Sequence, residues 1–281
     1  MARMNKTTRG VANAIGQGAD APTAVLIGVT GGFGHPLAKL LADEGFRLVL
    51  AARSENDAAL LTGRTDGSSI YVRADVSDPA SLERLAAASF EHLGQIDAVV
   101  NLVGISPRKP MQEYTAADID SLLSINVKGP ISVTQAFLPG LLKQRGGAIL
   151  VHLGGAMDGR VGIPFMSAYA ATRSALAGYV QASNRELAGT DVMLSFFGPA
   201  PANTESESAF FDMWRKMGVT LAEPEEVARE ILDTIRKRRR VHVMGGGMLR
   251  MMAAVNGVSP AAADAIGLRR FSKLVKQHHP R

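Results

Sequence analysis

Residues 24–34 read Ala24-Val25-Leu26-Ile27-Gly28-Val29-Thr30-Gly31-Gly32-Phe33-Gly34. A short apolar run closed by glycine is the pattern of a strand buried on both faces. Pro36, Leu37, Leu40 and Leu41 follow at helical spacing, and Gly45 closes the segment. Glycines at a strand-to-helix turn let the backbone come close to a phosphate group. The free N–H groups of the helix start then face that group with a positive partial charge. The spacing is glycine at 28, 32 and 34, and not Gly-x-Gly-x-x-Gly, because position 37 is Leu. At the first strand of an alternating chain, such a turn favours dinucleotide binding over an ordinary tight turn.

Working outward, strand patterns recur at 46–51, 68–75, 96–101, 148–153, 192–197 and 240–244. Helical patterns lie between them at 79–93, 116–145, 167–187 and 223–240, with Gly129-Pro130 and Pro139-Gly140 expected to bend the second of these segments. Strand and helix alternate throughout. The expected fold is therefore α/β: a single domain with a doubly wound, Rossmann-like parallel sheet of seven strands in a three-layer α/β/α sandwich. Residues 1–22 read as a polar, Gly-rich, flexible extension, 23–245 as the domain, and 246–281 as a basic amphipathic extension.

Composition narrows the chemistry. The chain has 281 residues, 46% of them hydrophobic, which is enough for a large core and argues against disorder. It has no Cys, which excludes disulfides, thiolate nucleophiles and Cys-ligated metals and fits a reducing, cytoplasmic setting. No apolar run reaches the length of a membrane span. Net charge is +5 but uneven: residues 229–281 carry +9 and the remainder −4. A basic tail on a mildly acidic body, without aromatic platforms beside the charge, argues against nucleic acid. His278-His279 lack a third metal ligand.

The second strand ends at Ala51-Ala52-Arg53-Ser54. An acidic residue at this corner would bind an adenosine ribose and repel a 2′-phosphate; Arg53 offers donors to that phosphate and a flat face to adenine. NADP(H) is therefore preferred over NAD(H).

With these pieces in place the chain resembles the short-chain dehydrogenase/reductase family over about residues 23–245. The motifs come in the family's order. Gly28/Gly32/Gly34 (with Thr30 and Phe33) and Arg53 are followed by Asp75-Val76, where the family faces adenine. Asn101-Leu-Val-Gly104 then replaces Asn-Asn-Ala-Gly, and Asn126 lies in Ser-Ile-Asn-Val-Lys-Gly-Pro. Tyr169-Ala-Ala-Thr-Arg173 stands for Tyr-x-x-x-Lys, and Pro199-Ala-Pro-Ala-Asn-Thr204 for Pro-Gly-x-Val-x-Thr. The resemblance implies hydride transfer with Tyr169 as proton donor, Arg173 as its electrostatic partner and Asn126 as a relay residue. It also implies a homodimer or homotetramer paired through the long helices.

Two departures stand out. Arg173 keeps a cation four residues after the tyrosine, on the same helix face, but guanidinium is larger and planar. The family's serine is absent: Gly154-Gly155-Ala156 occupies its place, and no Ser or Thr occurs from 149 to 166. Ser167 sits at the wrong helical angle to substitute, and His152 or Asp158 reads better as structural. Ile27 replaces the first Thr of the glycine loop. Three readings stay open: a reductase of a carbonyl or imine, an enzyme of this fold with non-standard or non-redox chemistry such as a cyclisation, and a non-catalytic dinucleotide sensor or scaffold.

A lid is expected at about 202–222, where Phe210-Phe211-Asp212-Met213-Trp214-Arg215-Lys216-Met217 suits a bulky hydrophobic small-molecule substrate as well as packing on its own domain. In the tail, Met248, Leu249, Met251, Met252, Val255 and Val258 form one apolar set. Leu268, Phe271, Leu274 and Val275 form another beside Arg269, Arg270, Lys273 and Lys276. Such a segment can make peripheral membrane contact, cover a subunit interface or close the substrate pocket.

Overall fold

The structure, a computed structural model, describes residues 21–54, 69–155, 161–216 and 218–267, without the side chains of 246–250. Expectations for 1–20, Ala156, Asp158, Met217, the Met248 and Leu249 side chains, and the basic segment from Leu268 onward with His278-His279 lie outside the described residues.

Seven strands form one parallel sheet: β1 (Thr23–Ile27), β2 (Arg47–Ala52), β3 (Ile70–Arg73), β4 (Ala98–Asn101), β5 (Ala148–Leu153), β6 (Val192–Gly198) and β7 (Val241–Val243). Their order is β3-β2-β1-β4-β5-β6-β7. The order reverses between β1 and β4, and Ile27 is level with both Ala51 and Asn101. A crevice outside the carboxyl ends of the strands opens at such a switch point.

The inner strands are largely apolar on both faces because both faces are covered. Ala24 and Leu26 belong to one core with Leu37 and Leu41 of α1 (Gly34–Asp43). Val25 and Ile27 belong to the other, with Leu82 and Leu85 of α2 (Pro79–Leu93). Between β4 and β5 run α3 (Ala116–Leu123), a π-helical turn (Ser124–Lys128) and α4 (Gly129–Leu141); α5 (Ser167–Glu186) precedes β6. A short α6 (Phe211–Lys216), α7 (Pro224–Arg236) and α8 (Gly246–Val258) complete the elements used below. α7 returns to pack beside α1. These two faces and the sheet make the three layers.

Local chemistry explains the helix starts. Asp78 caps α2 by accepting from Ala80 N at 3.1 Å, with Pro79 at the first helical position. Thr115 and Asp118 form a capping box on α3. The Lys109 ammonium, 2.7 Å from Asp118, and the Thr115 hydrogen bonds hold the Asp118 carboxyl down at about 2. This bond also ties the loop after β4 to α3.

The expected bend in the 116–145 helix is placed differently by the structure. The distortion is the π turn at Ser124–Lys128, one step ahead of Gly129-Pro130. Pro130 instead sits in the first turn of α4, and Pro139 lies inside that helix. Proline lacks the N–H that a helix start does not use, so Pro130 marks the restart after the distortion.

Candidate active site

A cavity of about 920 Å³ lies outside the carboxyl ends of the strands. It is lined by Gly28, Thr30, Gly32 and Phe33 at one end and by Ile163, Met166 and Trp214 among others. Gly104, Tyr169, Arg173, Pro199 and Thr204 also line it.

The glycine turn is built for close approach. Gly28 has φ +88°, and its N–H donates to Ala51 O at 2.7 Å. A Cβ on Gly32 would fall 2.5 Å from the Thr204 methyl, and one on Gly34 would fall 2.1 Å from Val29 O. Side chains are thus excluded on both sides, which lets α1 begin directly against the turn. Phe33 provides no side-chain cap at the start of α1, and Gly34 N donates to Gly31 O at 2.9 Å within the turn itself. A glycine cradle, an uncapped helix start and a cavity of this size fit a dinucleotide.

Tyr169 lies in the first turn of α5 and is almost fully buried. Its side chain lines the cavity and packs with Leu122 and Met166. One turn on, the Arg173 guanidinium carbon stands 4.7 Å over the Tyr169 ring centroid, within cation–π range. Arg173 Nη1 donates to Leu153 O at 3.2 Å, and a Cβ on Gly104 would meet its Nη2 at 2.8 Å. The longer side chain is thus accommodated by folding over the phenol ring and filling the space beside Gly104.

Asn126 occupies the π turn and is fully buried. It accepts from Ile105 N at 2.9 Å and donates to Ile105 O at 2.8 Å and to Thr172 Oγ1 at 3.2 Å. It therefore fixes the loop after β4 against α5, close to Gly104, without itself lining the cavity. Asn101 ends β4, accepts from Val103 N at 3.1 Å and lies behind the lining.

Two of the three positions that stand in place of the family's serine, Gly154 and Gly155, are closed to a side chain, and the third, Ala156, lies outside the described residues. A Cβ at Gly155 would fall 2.0 Å from the Tyr169 hydroxyl, and one at Gly154 2.1 Å from the Phe196 ring. The tyrosine oxygen fills the space a side chain at 155 would need. Ser167 is exposed and takes no part. His152 is sealed in the sheet, where burial pushes its pKa down to about 4; its Nε2 lies 3.0 Å from Thr134 Oγ1.

The corner expected to hold adenosine lies apart from the cavity wall. Arg53 and Ser54 are exposed at the end of β2. Arg73 Nε donates to Arg53 O at 3.1 Å, and Tyr71 donates to Ser54 O. Asp75 accepts from Ser77 N at 2.9 Å and Ser77 Oγ at 2.7 Å. Partial burial alone would raise its pKa, but the two Ser77 bonds and the Arg53 charge outweigh that and hold it below the ordinary carboxylate value. Val76 is buried and packs toward Gly129 in α4. Arg73 is a second cation at this corner that no sequence motif singles out; its one signal is its place at the end of an edge strand.

Two other residues missed by sequence also line the cavity. Arg108 and Glu207 line the cavity and pair at 2.8 Å, although 99 residues separate them. Glu207 also accepts from Trp214 Nε1 at 2.8 Å. The segment carrying Glu207 and Trp214 leaves and returns through an Ala202–Ala222 bridge, with Asn203 N bonded to Ala222 O at 2.9 Å. Among the described residues no group of three metal-ligating side chains occurs, and no helix is long and apolar enough to cross a membrane.

The switch-point crevice, the glycine turn and the lined cavity together define an α/β protein built to hold a nucleotide cofactor. Residues 22–213 match the family model for short chain dehydrogenases. The chain belongs to the short-chain dehydrogenase/reductase family, whose members are NAD(P)-dependent oxidoreductases. It is 29% identical over 221 residues to an uncharacterized oxidoreductase of Staphylococcus epidermidis, covering 78% of this chain and 93% of that one. A short-chain dehydrogenase/reductase from Burkholderia phymatum, solved in complex with NAD, superposes with a TM-score of 0.75 at 24% identity, over 85% of this chain and 93% of the other. A single-substitution variant of the actinorhodin polyketide ketoreductase, solved with NADPH, gives 0.71 at 23% identity, over 81% and 97%. At such identities the two structures speak for the fold.

Proposed function

We propose that the protein is an NADP(H)-dependent reductase that acts on a carbonyl or imine of a hydrophobic small molecule, with Tyr169 as proton donor. The observation that carries this is Tyr169 lining the cavity that begins at the glycine turn, with the Arg173 cation over its ring. The bound cofactor would supply or take up hydride at its nicotinamide ring. Gly28, Thr30, Gly32 and Phe33 would hold its phosphates, and Pro199 and Thr204 would border its reactive end. Arg53 and Arg73 together support the choice of NADP(H), since two guanidinium groups at the ribose corner favour a 2′-phosphate.

Tyr169 gives its proton to the substrate heteroatom as hydride arrives, and negative charge grows on the phenol oxygen. Arg173 supports that charge from the ring face. Asn126 keeps Ile105 and α5 in place around the pair. Ile163, Met166 and Trp214 give the substrate end an apolar wall.

A specific observation favours an imine as the better substrate. With the tyrosine oxygen filling the space beside Gly155, no second hydroxyl is present there to support a developing oxyanion. Loss of one such donor costs about 10²–10³ in rate for carbonyl chemistry. A neutral imine that takes the Tyr169 proton at nitrogen as hydride adds at carbon gives a neutral amine without forming an oxyanion, and has no need of it. The oligomer is proposed to pair through the long helices at about 116–144 and 168–188; in the first of these stretches Ile119 and Leu123 of α3 and Leu142, just after α4, are exposed.

The test is a fluorescence titration with NADPH and NADH, followed by turnover on matched ketone and cyclic imine panels. Tighter binding of NADPH and its oxidation by a panel member, lost in Tyr169→Phe, is expected. Tight NADPH binding with no oxidation by any substrate would leave only a binding role.

A further inference from the structure

The wall of the cavity contains a guanidinium whose hydrogen bonds are incomplete. The Arg108 side chain is only 5% exposed, yet Nη2 alone is engaged, donating to Glu207 Oε1 at 2.8 Å and Oε2 at 2.9 Å. Nε and Nη1 are buried and have no partner. Aromatic rings flank the group: its central carbon lies 3.9 Å from the Phe210 ring centroid and 5.0 Å from that of Trp214. Buried charged donors without acceptors are costly, and a native structure keeps them where something else completes them.

We propose that Arg108 is a substrate-recognition residue, and that its spare N–H groups take a neutral acceptor oxygen of the substrate, such as that of an ester, amide or second carbonyl, remote from the carbon that is reduced. The proposal rests on the reductase reading above and names a feature of its substrate.

Charge decides between a neutral oxygen and a carboxylate. Glu207 already cancels the formal charge of Arg108, and Glu205 lines the same cavity. A substrate carboxylate would put a further negative charge beside two existing ones. The neighbouring cation, Lys109, is engaged with Asp118 at 2.7 Å and offers no compensation. What Arg108 retains is directional donor capacity in a planar fork. Its position is well fixed, because Glu207 holds one edge while the two rings hold the faces. Nε and Nη1 are covered in this structure, so the substrate reaches them when neighbouring side chains move aside.

Trp214 is the only tryptophan of the chain. Its indole N–H bonds Glu207 and its ring lies against Arg108, so its emission reports events at this point directly.

The experiment compares three compounds of matched size with NADPH present: an aryl alkyl ketone, the corresponding β-keto ester and the β-keto acid. In the native protein kcat/KM for the ester is expected to exceed that for the simple ketone by tenfold or more, with the acid below the ester. In R108M the ester-to-ketone ratio is expected to fall to about one; the ratio is the readout, whatever happens to either rate. R108K, which keeps the charge without the planar fork, is expected to lose most of the preference. A ratio unchanged in R108M, a preference fully kept in R108K, or an acid favoured over the ester overturns the proposal.

Binding is read separately by Trp214 emission, using the unreactive hydroxy ester and the matching alcohol without the ester. The ester is expected to bind about tenfold tighter to the native protein but equally to R108M, and equal binding to the native protein overturns the proposal even if no compound is turned over. NADPH binding and oxidation, measured in the same series, show independently whether the reductase reading has failed.

Discussion

At Tyr169 a single hydroxyl is assigned the proton transfer. Tyr169→Phe is expected to lower kcat by about 10²–10⁴, the usual contribution of a positioned acid, while leaving the NADPH dissociation constant within about threefold. Placing a serine at Gly155, one of the three positions that stand for the family's serine, is expected to harm rather than help. In Gly155→Ser the new Cβ would collide with the Tyr169 oxygen, at a residue whose φ is +86°, so both kcat and thermal stability should fall. A gain in ketone reduction by that variant would contradict the geometry. His152 gives a pH prediction. Its folded pKa of about 4 lies below the ordinary 6.5, so the unfolded chain binds the extra proton first. The stability of neutral, buried His152 is fully present above pH 6.5 and is lost as pH falls toward 4. The loss is on the order of 3 kcal/mol over that window. Urea denaturation at stepped pH should show this slope, and His152→Gln should flatten it. The sequence places Tyr169, Arg173 and the glycines in order because each lies within a short motif. It does not indicate Arg108, whose meaning depends on Glu207 and Trp214, and no local pattern joins residues so far apart in the chain.

Among the elements, the π turn at Ser124–Lys128 does the most to shape the site. Its buried Asn126 answers both backbone polar groups of Ile105 and reaches Thr172 in α5. Asn126→Ala leaves those groups unpaired and should destabilise the protein by about 1–3 kcal/mol in urea titrations. It should also lower kcat, because the Gly104–Ile105 loop and α5 would no longer be held together. Rescue of stability without activity by a second-site substitution would show that the two effects are separable. Strands and helices are legible because hydrophobic period and proline or glycine boundaries carry that information locally: 79–93 and 148–153 match the structure as read. The π turn is not, since its five residues are too few to show a period of their own, and Gly129-Pro130 draws the expected bend one step too late.

For the whole molecule, the two ends of the site obey different physics. The corner proposed for adenosine is exposed and cationic through Arg53 and Arg73, so discrimination there should depend on salt. Arg53→Asp is expected to weaken NADPH binding at least tenfold while leaving NADH within about threefold, and the NADPH advantage of the native protein should shrink between about 50 mM and about 500 mM salt. Equal loss for both cofactors would refute the assignment of the corner. Outside the sheet, Met251 of α8 is 58% exposed and Val258 89%, which leaves the role of this extension among the alternatives of membrane, subunit or pocket cover.

The placement of β1 has a consequence for how the chain comes into being. This strand is made before the other six, is flanked on one side by β2 and on the other by β4, and Thr23 is bonded through its backbone N–H and hydroxyl to Asp97, 74 positions later. Half of its ladder therefore waits for a partner until β4 has also been synthesised. During that interval Val25 and Leu26 form an open, apolar edge in the nascent chain, where a chaperone or a neighbouring polypeptide can bind before β4 arrives.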